Sequence, residues 1–257
     1  MSGRRRDRTY RVVIGLFRRV FRALDLRFDV RGTEHIPASG AAVLACNHIG
    51  YLDFTFVGLA ASRQDRLVRF MAKSSTFANP VSGPLMRRMH HIPVDRDGVL
   101  TGAVAYRKAI RELRAGELVG VFPESTISRS WTLRAFKPGA AALAVREQVP
   151  LIPVVTWGGH RIASVDGHVH PQRHIPVTVL VGPSITPTTR EETGSLLRAA
   201  IQELLDTAQR DYPDAGAGRW WQPLHLDGMA PSPWEAAVRE QEVDARLTAK
   251  KLRRSAA

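Results

Sequence analysis

The run Cys46-Asn47-His48-Ile49-Gly50-Tyr51-Leu52-Asp53-Phe54-Thr55-Phe56 decides how this chain is read. Before it, Ala41-Ala42-Val43-Leu44-Ala45 is a short continuous apolar segment of the kind that forms a buried strand. After it, aromatic and aliphatic residues recur at helical spacing from about Tyr51 to Ala61. His48 and Asp53 lie five residues apart, so on one continuous helix they would diverge by roughly 140°. They meet only if His48 sits on the strand-to-helix turn and Asp53 in the first helical turn, with Gly50 letting the chain bend. An Asp in that place also suits the positive end of the helix dipole. The product is an imidazole oriented by a carboxylate, the arrangement of a general base. The same residues also fit a capped helix carrying a surface histidine, and spacing alone leaves both readings open.

Downstream, strand and helix patterns alternate. Leu67–Ala72 reads as a strand ending at Lys73, and Asn79–Met89 as a broken helix or loop interrupted by proline and glycine. Val104, Ala105, Ala109, Ile110 and Leu113 give a helix ended by Gly116. Leu118–Phe122 is a buried-type strand that opens into Pro123-Glu124-Ser125-Thr126, and Lys137-Pro138-Gly139 starts an alanine-rich helix. Leu151–Trp157 and Ile175–Val181 are further strands, and Thr189-Arg190-Glu191-Glu192 is a capping box for a long helix. Ser232-Pro233 starts a last, charged helix. This alternation predicts an α/β domain, a mixed central sheet flanked by helices. Residues 1–30 form a basic amphipathic N-terminal segment, 31–212 the main domain and 213–257 a C-terminal helical extension.

Asn47-His48 with Asp53 resembles the N-H-x-x-x-x-D signature of the glycerophospholipid acyltransferases, the family that includes lysophosphatidate acyltransferase. Three further blocks follow in the family's order, so the resemblance covers roughly residues 30 to 185. His91-Ile92-Pro93-Val94-Asp95-Arg96-Asp97-Gly98 is similar to the second block, in which an arginine after a strand contacts phosphate. A guanidinium offers paired donors that match two phosphate oxygens, although Arg96 could equally pair with Asp95 or Asp97. Phe122-Pro123-Glu124-Ser125-Thr126-Ile127-Ser128 matches the third block, F-P-E-G-T-R-S, with Ser125 for its glycine and Ile127 for its arginine; Arg129 lies two residues on. The Pro153 step in Leu151–Val155 matches the fourth.

The resemblance implies an αβ fold with the four blocks lining one groove. It implies His48 and Asp53 as catalytic residues. Asn47, Lys73, Arg96, Glu124, Ser125, Thr126 and Arg129 are implied as substrate-binding residues. The implied reaction is acyl transfer from acyl-CoA or acyl-carrier protein to the free hydroxyl of a lysophospholipid, foremost 1-acylglycerol 3-phosphate, with no cofactor or metal. Acylation of another acceptor, glycerol 3-phosphate, another lysophospholipid or a lipid amine, is the alternative that the altered third block allows; a non-catalytic basic membrane-binding protein is an alternative of a different class.

Bulk properties agree on the partner's charge. The 257 residues carry 37 Lys and Arg against 24 Asp and Glu, a formal net charge of +13, which calls for an acidic partner such as anionic lipid, nucleic acid or a phosphorylated substrate. The arginines lack a zinc finger, basic zipper or helix-turn-helix to set them in a groove, so nucleic acid is not expected. Residues 10–24 read as an amphipathic helix with Val13, Leu16, Phe17, Val20, Phe21 and Leu24 on one side and Arg11, Arg18, Arg19 and Arg22 opposite or at its edges. Such a helix either packs on the protein's own core or lies on a membrane, where each arginine is worth on the order of 1 kcal/mol. Peripheral attachment at the cytoplasmic face of the membrane is the expectation, because no stretch reaches the about 18 apolar residues of a span and no secretory signal is visible. The single cysteine, Cys46, excludes an internal disulfide and reads as a small buried apolar residue. His168, His170 and His174 invite a metal reading, but no Cys or H-E-x-x-H accompanies them.

Overall fold

The computed structural model describes residues 7–95, 99–167 and 169–255. Seven strands form one sheet: β1 (Arg27–Arg31), β2 (Ala42–Cys46), β3 (Val68–Lys73), β4 (Ile92–Val94), β5 (Leu118–Val121), β6 (Leu151–Trp157) and β7 (Pro176–Val181), in the order β1-β7-β6-β2-β5-β3-β4. β6, β2, β5, β3 and β4 run parallel, whereas β7 pairs antiparallel with β6 and carries β1 parallel to itself. The sheet is therefore mixed, as the sequence predicts.

Every residue of β2, β5, β6 and β7 is buried, which is why these strands read as unbroken apolar runs rather than alternating ones. The period-two pleat still sorts the side chains. Ala42, Leu44 and Cys46 join one apolar cluster with Phe56, Val57 and Ala60 of helix α2 (Asp53–Ser62). Val43 and Ala45 face the opposite cluster, built with Ala105, Ala109 and Leu113 of α5 (Val99–Arg114), Leu143 and Ala144 of α6 (Gly139–Glu147), and Leu197, Ile201 and Leu205 of α7 (Arg190–Arg210). Thr189 caps α7 by accepting from the Glu192 amide at 3.2 Å. Ser232 and Glu235 exchange reciprocal bonds at the start of the last helix, α8 (Pro233–Ser255). The region read as a broken helix or loop, Asn79–Met89, holds the short helix α4 (Ser82–Arg88), and another short helix, α3 (Ser74–Ala78), precedes it.

Helix α1 (Arg8–Ala23) closes the outer side of α2. Phe17 packs edge-on against Phe54, and Phe21 against Phe56 and Phe28. Its N-terminal end is fixed to the sheet by the Tyr10 hydroxyl, which donates to the Val68 carbonyl at 2.8 Å, and by Asp7 accepting from buried Arg69 at 2.7 Å. At about 100° per residue the apolar positions of α1 cover roughly 200° of its circumference. Only part of that arc fits the protein. Tyr10 and Phe21 are buried while Val12, Leu16 and Val20 stay exposed. The sequence grouped Leu16 and Val20 with Phe21; the structure divides them between a docked face and a free one.

Candidate active site

Parallel neighbours β5, β2 and β6 end on the same edge of the sheet, and in open α/β sheets the carboxyl ends of strands are where sites are built. Asn47 and His48 leave β2 there, Phe122–Glu124 leave β5, and Thr156 lies near the end of β6.

Asn47 is fully buried and extends the β2–β6 ladder with its side chain. Its Oδ1 accepts from the Thr156 amide at 2.8 Å and its Nδ2 donates to the Thr156 carbonyl at 3.0 Å. The chain then turns, and Asp53 is the first residue of α2. Its carboxylate is wholly buried and accepts four hydrogen bonds. Oδ2 receives His48 Nδ1 at 2.9 Å, the Ile49 amide at 2.8 Å and the Gly50 amide at 2.9 Å, while Oδ1 receives the Thr156 hydroxyl at 3.0 Å. A buried negative charge needs such compensation, and the helix N-terminus adds to it. The dyad expected from the sequence is thus present.

A carboxylate accepts, so Nδ1 of His48 is the donor of this bond and Nε2 is the ring nitrogen that Asp53 leaves free. The ring stacks on Phe122 with centroids 4.3 Å apart, and its side chain keeps 18% exposure. Its main chain is held from two sides: the His48 amide donates to Glu124 Oε1 at 2.7 Å, and the Ser128 amide donates to the His48 carbonyl at 2.8 Å. Glu124 Oε2 takes the Arg134 amide at 2.8 Å. Burial pushes the Glu124 carboxyl up to about 7, against the pull of these two amide bonds. Burial likewise pushes the Cys46 thiol up, with the Asp53 charge adding to the effect, so Cys46 is an inert core residue.

Gly50 serves a different purpose from the bend expected of it. Its φ is not left-handed; a Cβ there would lie 2.9 Å from the Ala163 carbonyl oxygen and 3.2 Å from the His160 Cα. Close approach of the loop after β6 excludes a side chain. Left-handed backbone occurs instead at Ser125, with φ +56°. Where the resembling family has glycine, this chain holds serine in the conformation glycine favours.

The remaining expected residues are dispersed. Ser125 and Thr126 adjoin Glu124 and are half-buried, whereas Lys73 ends β3 and is exposed. Ile127 is buried. Arg129 is buried too, and its guanidinium grips Asp166 through Nε at 2.9 Å and a terminal nitrogen at 3.1 Å. Arg96 lies outside the described residues, as does His168. Exposed His174 pairs with Asp25 at 2.7 Å, and among the described residues no three His, Cys, Asp or Glu side chains converge as metal ligands. Sequence reasoning missed Thr156, Phe122, Ser128 and Arg134. Thr156 gave one signal, a hydroxyl in the otherwise apolar Leu151–Trp157 run; Ser128 and Arg134 act through main-chain amides and gave none.

The acyltransferase family profile matches residues 27–157, about half of the chain and all of this construction up to the end of β6. The chain belongs to the acyltransferase family. Among curated acyltransferase relatives, the 1-acyl-sn-glycerol-3-phosphate acyltransferase of Bacillus subtilis (strain 168) is 32% identical over 137 residues, which cover 52% of this chain and 66% of that one. The protein of the same name from Borreliella burgdorferi is 28% identical over 193 residues, 71% of this chain and 73% of that one. The match to the chloroplastic acyltransferase BAT2 of Brassica napus spans 38% of that relative's length, so the curated relatives matched here are covered only in part. The crystal structure of the 1-acyl-sn-glycerophosphate acyltransferase PlsC from Thermotoga maritima superposes with a TM-score of 0.68 at 21% identity, covering 83% of this chain and 86% of that one, and shows the same fold.

Proposed function

We propose that this acyltransferase-family chain transfers a fatty acyl group from a thioester, acyl-CoA or acyl-carrier protein, to the free hydroxyl of 1-acylglycerol 3-phosphate in phospholipid biosynthesis. The observation that carries the reading is the His48–Asp53 pair, with Nδ1 fixed at 2.9 Å and the ring at the surface of the sheet's carboxyl edge. Relatives named for this reaction support it.

In the proposed reaction Nε2 of His48 removes the acceptor hydroxyl proton as the oxygen attacks the thioester carbonyl. The new C–O bond forms, the C–S bond breaks, and the departing thiolate takes the proton back from the imidazolium. Asp53 stabilises the imidazolium while it exists. Both substrates are consumed in one displacement, with no acyl-enzyme. Lys73, Arg96 and Arg129 are the cations proposed to face the acceptor phosphate, with Asn47, Glu124, Ser125 and Thr126 shaping the site around it.

Attachment to an anionic membrane is part of the proposal. Val12, Leu16 and Val20 form an exposed apolar strip on α1 with Arg8 and Arg19 beside it, the composition of an interfacial helix. No helix among the described residues is long and apolar enough to cross a membrane. The attachment proposed is peripheral, at the cytoplasmic face.

One observation favours a second acceptor class. Arg129, the cation next in sequence after the position lost at Ile127, is already engaged bidentately by Asp166, which weakens its claim on a phosphate. Thiol release should therefore be followed with one long-chain acyl-CoA against lysophosphatidate, glycerol 3-phosphate, a neutral lysophospholipid and a lipid amine. Fastest turnover on lysophosphatidate is expected. Turnover confined to a neutral or amine acceptor would replace the substrate, and turnover on none would end the proposal.

A further inference from the structure

Beyond residue 157, where the family match ends, the chain returns to the site from behind. Trp131 follows the third block with left-handed φ of +57°, and its indole Nε1 donates to the Trp220 carbonyl at 3.0 Å. The carbonyl of the next residue, Trp221, accepts from His160 Nε2 at 2.8 Å. Arg161 lies over the Trp221 ring, 4.0 Å from its centroid, and binds Asp214 at 2.7 Å. Gln209 of α7 reaches the Trp131 carbonyl at 3.2 Å. A further connection comes from α8, where Glu240 pairs with the side chain of Arg134.

Each of these connections ends on a loop that holds the catalytic turn. The loop carrying His160 gives the Ala163 carbonyl to the Tyr51 amide at 3.0 Å and the Ser164 hydroxyl to the Ile49 carbonyl at 2.7 Å. The loop carrying Trp131 gives the Ser128 amide to the His48 carbonyl. Arg134 gives its amide to Glu124, which holds the His48 amide. The turn 48–51 is thus suspended between two loops, and the Trp220–Trp221 segment spans both.

His160 is the central link. It is fully buried among Trp131, Trp157 and Trp220. Burial lowers its pKa to about 4, so the ring is neutral. A neutral ring donating through Nε2 has an unprotonated Nδ1, and that atom is buried without a hydrogen-bond partner among the described residues. A group so unfavourably placed is tolerated where its other nitrogen fixes something of value.

We infer that the C-terminal segment from Trp220 to Glu240 is a clamp that sets the His48–Asp53 geometry, with His160 and the Arg134–Glu240 pair as positioning residues. The inference rests on the acyl-transfer reading only for its kinetic readout. Imidazole favours the Nε2–H tautomer unless Nδ1–H is given a fixed acceptor, so loosening the turn redistributes the His48 proton.

The test uses full-length protein carrying 15N-labelled histidine, in wild type and the variants His160→Phe, His160→Gln and Glu240→Gln. His160→Phe removes the donor to the Trp221 carbonyl; His160→Gln keeps one near the Nε2 position. The ring 15N shifts of His48 should report the Nδ1–H tautomer in wild type and His160→Gln, and a mixture in His160→Phe and Glu240→Gln. With lysophosphatidate, kcat should fall about 10–100-fold in His160→Phe, the loss expected of a sub-ångström to 1 Å misplacement, and less in Glu240→Gln, with KM within twofold in both. A wild-type tautomer and wild-type kcat in folded His160→Phe and Glu240→Gln would overturn the clamp. If His160→Phe does not fold, the near-isosteric variant Glu240→Gln decides alone. If wild type transfers no acyl group, the acyl-transfer reading fails while the tautomer still judges the clamp.

Discussion

Asp53 accepts from His48, two backbone amides and Thr156, and only the first of these partners could be read from the sequence. The pair was legible because two polar residues interrupt an apolar strand-to-helix junction. Thr156 was not, because it joins the pair through strand adjacency, a fact of topology that no local spacing encodes. Two predictions belong at this scale. Ser125 occupies a left-handed conformation, which costs about 1–2 kcal/mol with a Cβ, against about 0.5–1 kcal/mol of extra chain entropy lost by glycine. Ser125→Gly should therefore stabilise by about 0.5–1 kcal/mol in chemical denaturation, and a loss of stability would contradict the strain. Glu124 has a folded-state pKa raised from 4.5 to about 7, so it contributes stability below about 4.5 that is lost as pH rises through about 7. Between those limits wild type should lose on the order of 3 kcal/mol from this group. Glu124→Gln should flatten that part of the pH–stability curve relative to wild type, and an unchanged slope would place the carboxyl's titration elsewhere.

Among the elements, β2, β5, β6 and β7 were readable because burial on both faces leaves continuous apolar runs. Helices α3 and α4 were not, because Pro80 separates them, Gly83 and Pro84 interrupt α4, and their short lengths carry too few turns to show a period. The amphipathic character of α1 was plain, but the division of its apolar arc was not. That division depends on how wide a face α2 and β1 present, which is a property of the packed molecule. It leads to a prediction for the helix. Val12→Glu with Leu16→Glu should leave the thermal midpoint unchanged, since both side chains are exposed. Binding to anionic phospholipid vesicles should fall at least about tenfold, because burying two such side chains is worth on the order of 3 kcal/mol. Wild-type vesicle binding by the double variant would remove α1 as the contact.

At the scale of the whole molecule, a mixed sheet gathers residues from positions 47 to 156 at one edge, and the chain beyond 157 folds back to brace them. The first half of that arrangement was legible in four short blocks whose order matches a known family. The brace was hidden, since it uses the backbone carbonyls of Trp220 and Trp221, and a carbonyl is the same in every residue. The surplus of positive charge was legible at once, yet charge alone did not separate lipid from nucleic acid; the exposed strip on α1 is what favours lipid. The central claim remains that His48 acts as the base for acyl transfer. Single-turnover transfer from acyl-CoA to lysophosphatidate on vesicles, with wild type and His48→Ala at equal and saturating enzyme, tests it most directly. The variant should bind the vesicles as wild type does and transfer about 10²–10⁴-fold more slowly, whereas equal rates from the two proteins would contradict the account.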